Sequence, residues 1–449
     1  MKKGIAYLLI WLLLLSCSSD DGVPVADFSD QTGFSGEIDW IRNYGGSGSE
    51  QARSIIQTSD GGFAVLGFTN SMDGELEGKA LAVNDYWLLK FDAEGNLQWH
   101  RTYGGSKDDR GQAVVQTSDG GYAIIGYSKS SDGDASQNQG FHDHWILKLT
   151  ATGDIQWENS FGFAGHDHAY DLVETADGGY FFSGFLDVVA SGGEGNSDKG
   201  NFLAYHGVGE FWGTKIDAQG NLEWQKFFGG TNNDRAYGLV TSSDGGYIMT
   251  GFSESDDTDI SNTKGSYDFW VIKVDSGGTL VWEHSFGGTG IDVSYDIEKT
   301  ADSAYVVVGH TFSSDKDIGS SHGESDIWLI KISDSGELLW ENTYGGSAFD
   351  NANSVKQTQD GGFLIAGNSR SNDQDLEENF GENDIWVIKT DIMGRLEWQK
   401  SFGGTGIDFG FDVIEHGDNE ILLVGQSGSA DFNPDSHKGG GDLVIIKIN

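Results

Sequence analysis

An all-β fold, a seven-bladed β-propeller of four-stranded antiparallel blades, is predicted by three observations. Tryptophan recurs at Trp40, Trp99, Trp157, Trp224, Trp282, Trp340 and Trp398, with successive spacings of 59, 58, 67, 58, 58 and 58 residues. A second series, Trp87, Trp145, Trp212, Trp270, Trp328 and Trp386, runs in step with it, and Val444 takes the seventh place. The 449 residues include 68 glycines and only 2 prolines, which suits many tight turns rather than stiff linkers. A period near 58 that encloses four short alternating segments marks propeller blades.

The unit that starts at Asp350 shows each element in order. Ala352-Asn353-Ser354-Val355 opens the first strand, and Asp360-Gly361-Gly362 makes a hairpin turn, where glycine accepts the positive φ a tight turn demands. Phe363 to Gly367 is the second strand. A long polar loop leads to the third, Asp384 to Lys389. After a glycine turn, Arg395-Leu396-Glu397-Trp398 begins the fourth, which runs to Phe402-Gly403-Gly404. The last unit stops at Leu443-Val444-Ile445-Ile446-Lys447, one strand short, and Gly36-Glu37-Ile38-Asp39-Trp40 is the missing strand. Pairing the two termini closes the ring over residues 36–449 and removes exposed sheet edges. Both tryptophan columns are expected to pack between blades.

Residues 1–16 read as an export signal. Lys2 and Lys3 precede an apolar run from Ile5 to Leu15, too short to span a bilayer as a helix of roughly 20 residues. Leu14-Leu15-Ser16-Cys17 resembles the bacterial lipobox, which implies that Cys17 carries lipid. The following Ser18-Ser19-Asp20-Asp21-Gly22 looks like the acidic surface-export tag of bacterial lipoproteins. Residues 17–35 then form a polar tether, and the implied location is the outer membrane, facing the cell surface.

Composition narrows the function. Against 27 basic residues stand 70 acidic ones, and a formal net charge of −43 works against nucleic-acid binding. Fourteen tryptophans and 12% aromatic residues supply ample core, which excludes wholesale disorder. A single cysteine excludes a disulfide framework and any multi-cysteine metal site.

A repeat protein supplies its own control: what all units share is structural, and departures are where function sits. The acids that open the first strands, Glu50, Asp109, Asp167, Asp234, Asp292, Asp350 and Asp408, are shared by all seven blades and read as a turn or cap. The residues just before them are Ser49, Asp108, His166, Asn233, Ile291, Phe349 and Ile407. Those just after are Gln51, Arg110, His168, Arg235, Val293, Asn351 and Phe409. Blades one to four are polar at both places, and blades five to seven are mostly apolar. In the third strand, His144 stands where other blades carry Tyr86, Phe211, Phe269, Ile327 or Ile385. His142, His144, His166, His168 and His206, five of the eleven histidines, crowd into blades two and three, and blade three is the long repeat. The first-strand starts and the loops after the second strands share one face, which is the candidate functional face.

No glycine-rich phosphate loop, Gly-x-Ser-x-Gly elbow or His-Glu-x-x-His is present, and His166-Asp167-His168 alone is only part of a zinc ligand set. Histidine, tyrosine and arginine together suit β-elimination from a uronic acid. Cations neutralise the carboxylate, a base takes the proton alpha to it, and an acid protonates the leaving oxygen. A seven-bladed ring with histidine from blade two, histidine and tyrosine from blade three and arginine from blade four resembles the ulvan lyases of polysaccharide lyase family 25, with family 24 as a neighbour. The matching residues are His144, His166, Tyr205 and Arg235. The resemblance implies Tyr205 as acid/base group, His144 as base or orienter, and His166 with Arg235 as carboxylate clamp; His142 can exchange roles with His144. Substrate contacts are expected from His142, His168, Arg110 and His206. The implied partner is an acidic polysaccharide, ulvan, met by a monomer that requires no cofactor. The rival reading is a non-catalytic glycan-binding or scaffold lipoprotein using the same face.

The loops between second and third strands carry Asp132/Asp134, Asp257/Asp259, Asp315/Asp317 and Asp373/Asp375. A solvated acidic loop is the leading reading; alternating carboxylates of this kind can also ligate structural calcium, although the EF-hand glycine and distal glutamate are missing.

Overall fold

The computed structural model describes residues 36–197, 206–417, 420–434 and 436–449. The lipidation site Cys17, the tether and Tyr205 lie outside the described residues. Seven four-stranded antiparallel sheets follow one another along the chain. In the sixth, the strands are Asp350–Gln357, Phe363–Ser369, Asp384–Thr390 and Leu396–Phe402, within a few residues of the boundaries read from the sequence. Ile38–Tyr44 pairs with Asp442–Ile448, with Tyr44 opposite Leu443 and Ile38 opposite Ile448, so the N-terminal strand completes the seventh blade.

Packing between blades explains the tryptophan columns. Trp87, Trp145, Trp212, Trp270, Trp328 and Trp386 are fully buried. In the first five blades the residue before the tryptophan faces the tryptophan of the next blade, and Ile385 of the sixth packs in one cluster with Val444. Tyr86 meets Trp145 at 4.8 Å between ring centroids, and Phe211 meets Trp270 and Phe269 meets Trp328 at 4.6 Å each. Indole N–H groups keep polar partners, such as Glu158 for Trp145 at 2.9 Å and Glu341 for Trp328 at 3.1 Å. The other column is half-buried and lies over the hairpin glycine of the next blade. Gly394 has φ of 74°, and a Cβ there would come within 2.8 Å of Trp340, so two constraints converge on glycine.

The shared acids cap the blade junctions, as expected from their recurrence. Asp234 accepts hydrogen bonds from the Gly230 and Glu254 amides and from the Ser255 hydroxyl. Asp350 does the same with the Gly346 amide and the hydroxyls of Ser369 and Ser371. The Asp-x-Asp pairs also hold backbone. Asp257 and Asp259 accept from the Thr231 and Gly229 amides, Asp315 and Asp317 from Thr289 and Gly287, and Asp373 and Asp375 from Ser347 and Gly345. These bonds account for their recurrence in successive blades without calling on calcium.

Near the axis, alternate blades are stapled to their neighbours. Asp171, Asp296 and Asp412 accept hydrogen bonds from the amides of Leu239, Val355 and Ile55 respectively, each at 2.9 Å. Lys356 pairs with Asp296 at 3.2 Å. Burial, with Asp296 adding repulsion and Lys356 opposing it, pushes the Asp171 carboxyl up to about 8. Burial likewise pushes Asp167 up to about 8 and Asp85 to about 7. In the unfolded chain such groups lose their proton near pH 4, so the folded state binds more protons across the window from about 4 to 8. Stability therefore falls as pH rises through that window. The depressed histidines act in the opposite sense only below about 6.5. A thermal melt is expected to show a midpoint at least about 2 °C lower at pH 8.5 than at pH 6.5. A higher midpoint at pH 8.5 would mean these carboxyls ionise normally.

Candidate functional site

Three histidines meet where blades two and three adjoin. His168 opens the strand His168–Glu174, His166 stands two residues earlier, and His142 immediately precedes Asp143–Leu149. The backbone fixes these segments to each other. His142 and His166 form a parallel bridge, and the Asp167 amide donates to the His142 carbonyl at 2.8 Å. His142 Nδ1 lies 3.0 Å from His166 Nδ1 and 3.1 Å from His168 Nε2. One nitrogen from each ring falls within 4.8 Å of the others, a spacing that suits a metal ion. Tyr127 stacks on His168 at 3.9 Å and 10°, and the Tyr170 hydroxyl is 3.4 Å from His168 Nδ1.

Burial, reinforced by His166, lowers the His142 imidazole to about 4. Burial, reinforced by His142, lowers His168 to about 2. Both rings are therefore neutral at pH 7 and offer lone pairs rather than charge. Charge comes from around them. The Lys129 ammonium sits 3.7 Å over Phe141, which packs on His166 at 4.3 Å. The Arg235 guanidinium lies 4.4 Å over Phe185, which packs on His168 at 4.9 Å, and its Nε donates to Asn233 at 3.0 Å. Arg110 is tied to Asp108 at 3.0 Å and lies 5.1 Å over Phe68. Neutral histidines rimmed by three cations form a local exception in a chain of net charge −43.

Several sequence expectations meet here. His142, His166 and His168 converge, with Arg110 and Arg235 beside them. His144 does not join, and the base-or-orienter role expected for it is corrected. Its ring is fully buried, 4.6 Å from Trp212, and its Nε2 faces the Phe185 carbonyl at 3.3 Å. It fills the interblade position that Tyr86 and Phe211 fill elsewhere, and burial lowers it to about 3. His206 is also corrected as a substrate contact. It is 7% exposed, 3.4 Å from Glu210 Oε2 and edge-on to Phe227 at 4.7 Å.

Sequence reasoning missed Tyr127, Tyr170 and Arg53. Tyr170 belongs to a column of Arg53, Gln112, Tyr170, Tyr237, Tyr295, Asn353 and Phe411, three residues after each shared acid. These side chains line an axial cavity of about 140 Å³ next to the histidines. Arg53 lies there 4.1 Å over Phe411, and burial lowers its guanidinium to about 10. Reading that column beside the two histidine columns would have exposed the aromatic collar. Asp167 is the odd member of the acid column. Blade three has Leu186 and Val188 where Asp234 and Asp350 find hydroxyls, so among the described residues Asp167 keeps only the amides of Phe163 and Asp187.

No family model matches the chain. The regulatory protein FlaEY of Caulobacter vibrioides is 24% identical over 209 residues, which cover 45% of this chain but only 21% of that protein's length. Among solved structures, the WD40 domain of Neurospora crassa Pan2 covers 90% of each chain at 9% identity and a TM-score of 0.48. Puromycin hydrolase covers 84% of this chain and 50% of its own at 11% identity and a TM-score of 0.46. The β-propeller domain of the trilobed protease from Pyrococcus furiosus covers 90% of this chain and 93% of its own at 8% identity and a TM-score of 0.44.

Proposed function

We propose that the face around His142, His166 and His168 binds the uronate units of an acidic polysaccharide of the ulvan class and cleaves them by β-elimination. The observation that carries this reading is the juxtaposition of the neutral imidazoles of His142 and His168 with Arg235, Arg110 and Lys129 on one face. Arginine neutralises the uronate carboxylate and stabilises the negative charge that grows when the adjacent carbon loses its proton. An imidazole that is unprotonated at neutral pH takes that proton. The C4–O bond then breaks, a C4=C5 double bond forms, and the departing oxygen needs a proton from an acid. Tyr205 is the acid implied by the resemblance. Ionic strength is part of the reading, because a polyanion approaching so acidic a chain is repelled until salt screens the field.

The test is ultraviolet absorbance of the unsaturated uronate when the purified chain meets ulvan at high salt. Rising absorbance is the expected result. A flat trace across pH and salt together with retained binding would replace the lyase with the glycan-binding reading, and a flat trace without binding would remove both.

A further inference from the structure

We propose that His142, His166 and His168 bind one divalent transition-metal cation of the zinc class, with an open position toward solvent. The inference stands on the geometry of the three rings and does not need the glycan reading; an ion there would occupy the lone pairs that the base role uses, so the elimination is a reaction of the metal-free chain. His142 Nδ1 faces His166 Nδ1 at 3.0 Å and His168 Nε2 at 3.1 Å. An imidazole nitrogen carries either one proton or one in-plane lone pair, so His142 Nδ1 makes one good hydrogen bond and not two. Whatever the tautomers, three such nitrogens cannot all be satisfied by one another. A cation at their point of convergence takes all three lone pairs at once.

The chemistry of the set selects the ion. Three imidazole ligands suit zinc, cobalt, nickel or copper, whereas calcium and magnesium require oxygen. Three protein ligands leave a fourth tetrahedral position, the arrangement of zinc sites that bind water or substrate. Exposed His166 lies on the outer side of the set, so that position faces solvent. Outer partners are also in place. The Tyr170 hydroxyl at His168 Nδ1 turns His168 Nε2 toward the set, and Tyr127 stacks on the same ring.

The fold itself does not ask for histidine at this junction. The positions paired as His142 and His166 are Tyr267 and Ile291 two junctions away, Ser325 and Phe349 at another, and Asn383 and Ile407 at a third. A structural need would show in those blades as well. With no carboxylate in the set, the bound ion would keep its full charge and attract an anionic ligand at its open position.

The test titrates the chelator-stripped full chain with cobalt(II) and follows visible absorption, without any glycan. Four-coordinate cobalt bound by imidazole gives intense bands that carboxylate-bound surface ions do not. The expected result is one equivalent of such a band, displaced by zinc and not by calcium. His166→Ala alters an exposed side chain and should fold normally while weakening cobalt binding by at least about 100-fold. His322→Ala, outside the set, should leave the titration unchanged. Absence of the band at saturating cobalt, or a band that survives in His166→Ala, would overturn the proposal. A lyase that fails the absorbance assay yet shows the cobalt band would lose the glycan reading and keep the metal.

Discussion

Trp328→Ala is expected to lower the unfolding free energy by about 3–5 kcal/mol, measured by denaturant titration. The indole is fully buried between the fourth and fifth blades, 4.6 Å from Phe269, and its N–H donates to Glu341 at 3.1 Å. Truncation removes the ring and also leaves the Glu341 carboxylate without this donor. Collapse around the void is restricted, because the sheets on either side are each held by continuous ladders: Gly309 pairs with Trp328 in one, and Phe269 with Phe286 in the other. The size of the loss therefore reports how rigid the junction is. A loss below about 1 kcal/mol would mean that neighbouring blades close over the cavity, and the column would not be the interblade anchor described above.

Arg235→Asn should depress turnover on ulvan by about 10²–10³-fold, typical of removing one group that stabilises developing charge. Binding should weaken less than turnover, because the charge at stake is larger in the transition state. Asn351 occupies the same place in the sixth blade, so the fold tolerates an amide there. Repeat comparison alone sets the stability cost within about 0.5 kcal/mol. The structure raises it to about 1 kcal/mol, because the guanidinium stacks on Phe185 at 4.4 Å and that contact disappears. Initial rates by ultraviolet absorbance, set beside a melting curve of the same variant, separate the two effects. Unchanged turnover in folded protein would take Arg235 out of the proposed clamp. Gross unfolding would make the arginine structural and remove the strongest member of the chemically uneven ring.

The blades were legible because their cause is local and repeated. A turn glycine, an alternating strand and a buried tryptophan recur at a fixed period, and seven copies average out the noise in any one of them. The acid column was legible as a cap for the same reason, since Glu50 and six aspartates could not all be catalytic in blades that otherwise differ. The site was legible only in part. His166, His168 and Arg235 stood out as departures from their columns, and the structure places them together. His144 departed from its column just as clearly and was misread. A histidine ring is flat enough to replace Tyr86 or Phe211 against the next tryptophan, so the same departure serves packing.

By itself the sequence determined the number of blades, the strand order within each, closure through Ile38–Tyr44 and the side of the ring on which polar residues gather. Those follow from periodicity and from alternation along a strand, which need no knowledge of distance. Only the tertiary structure decided which polar residues meet. His142 is separated from His166 by 24 residues, yet their Nδ1 atoms lie 3.0 Å apart because adjoining blades bring the start of one third strand against the start of the next first strand. His144, two positions on and inside the strand that His142 only precedes, is turned into the interblade core. Two positions apart, the pleat would give both the same sense, so their depth in the stack of blades sets the difference, and that is not visible in the identity of the residues.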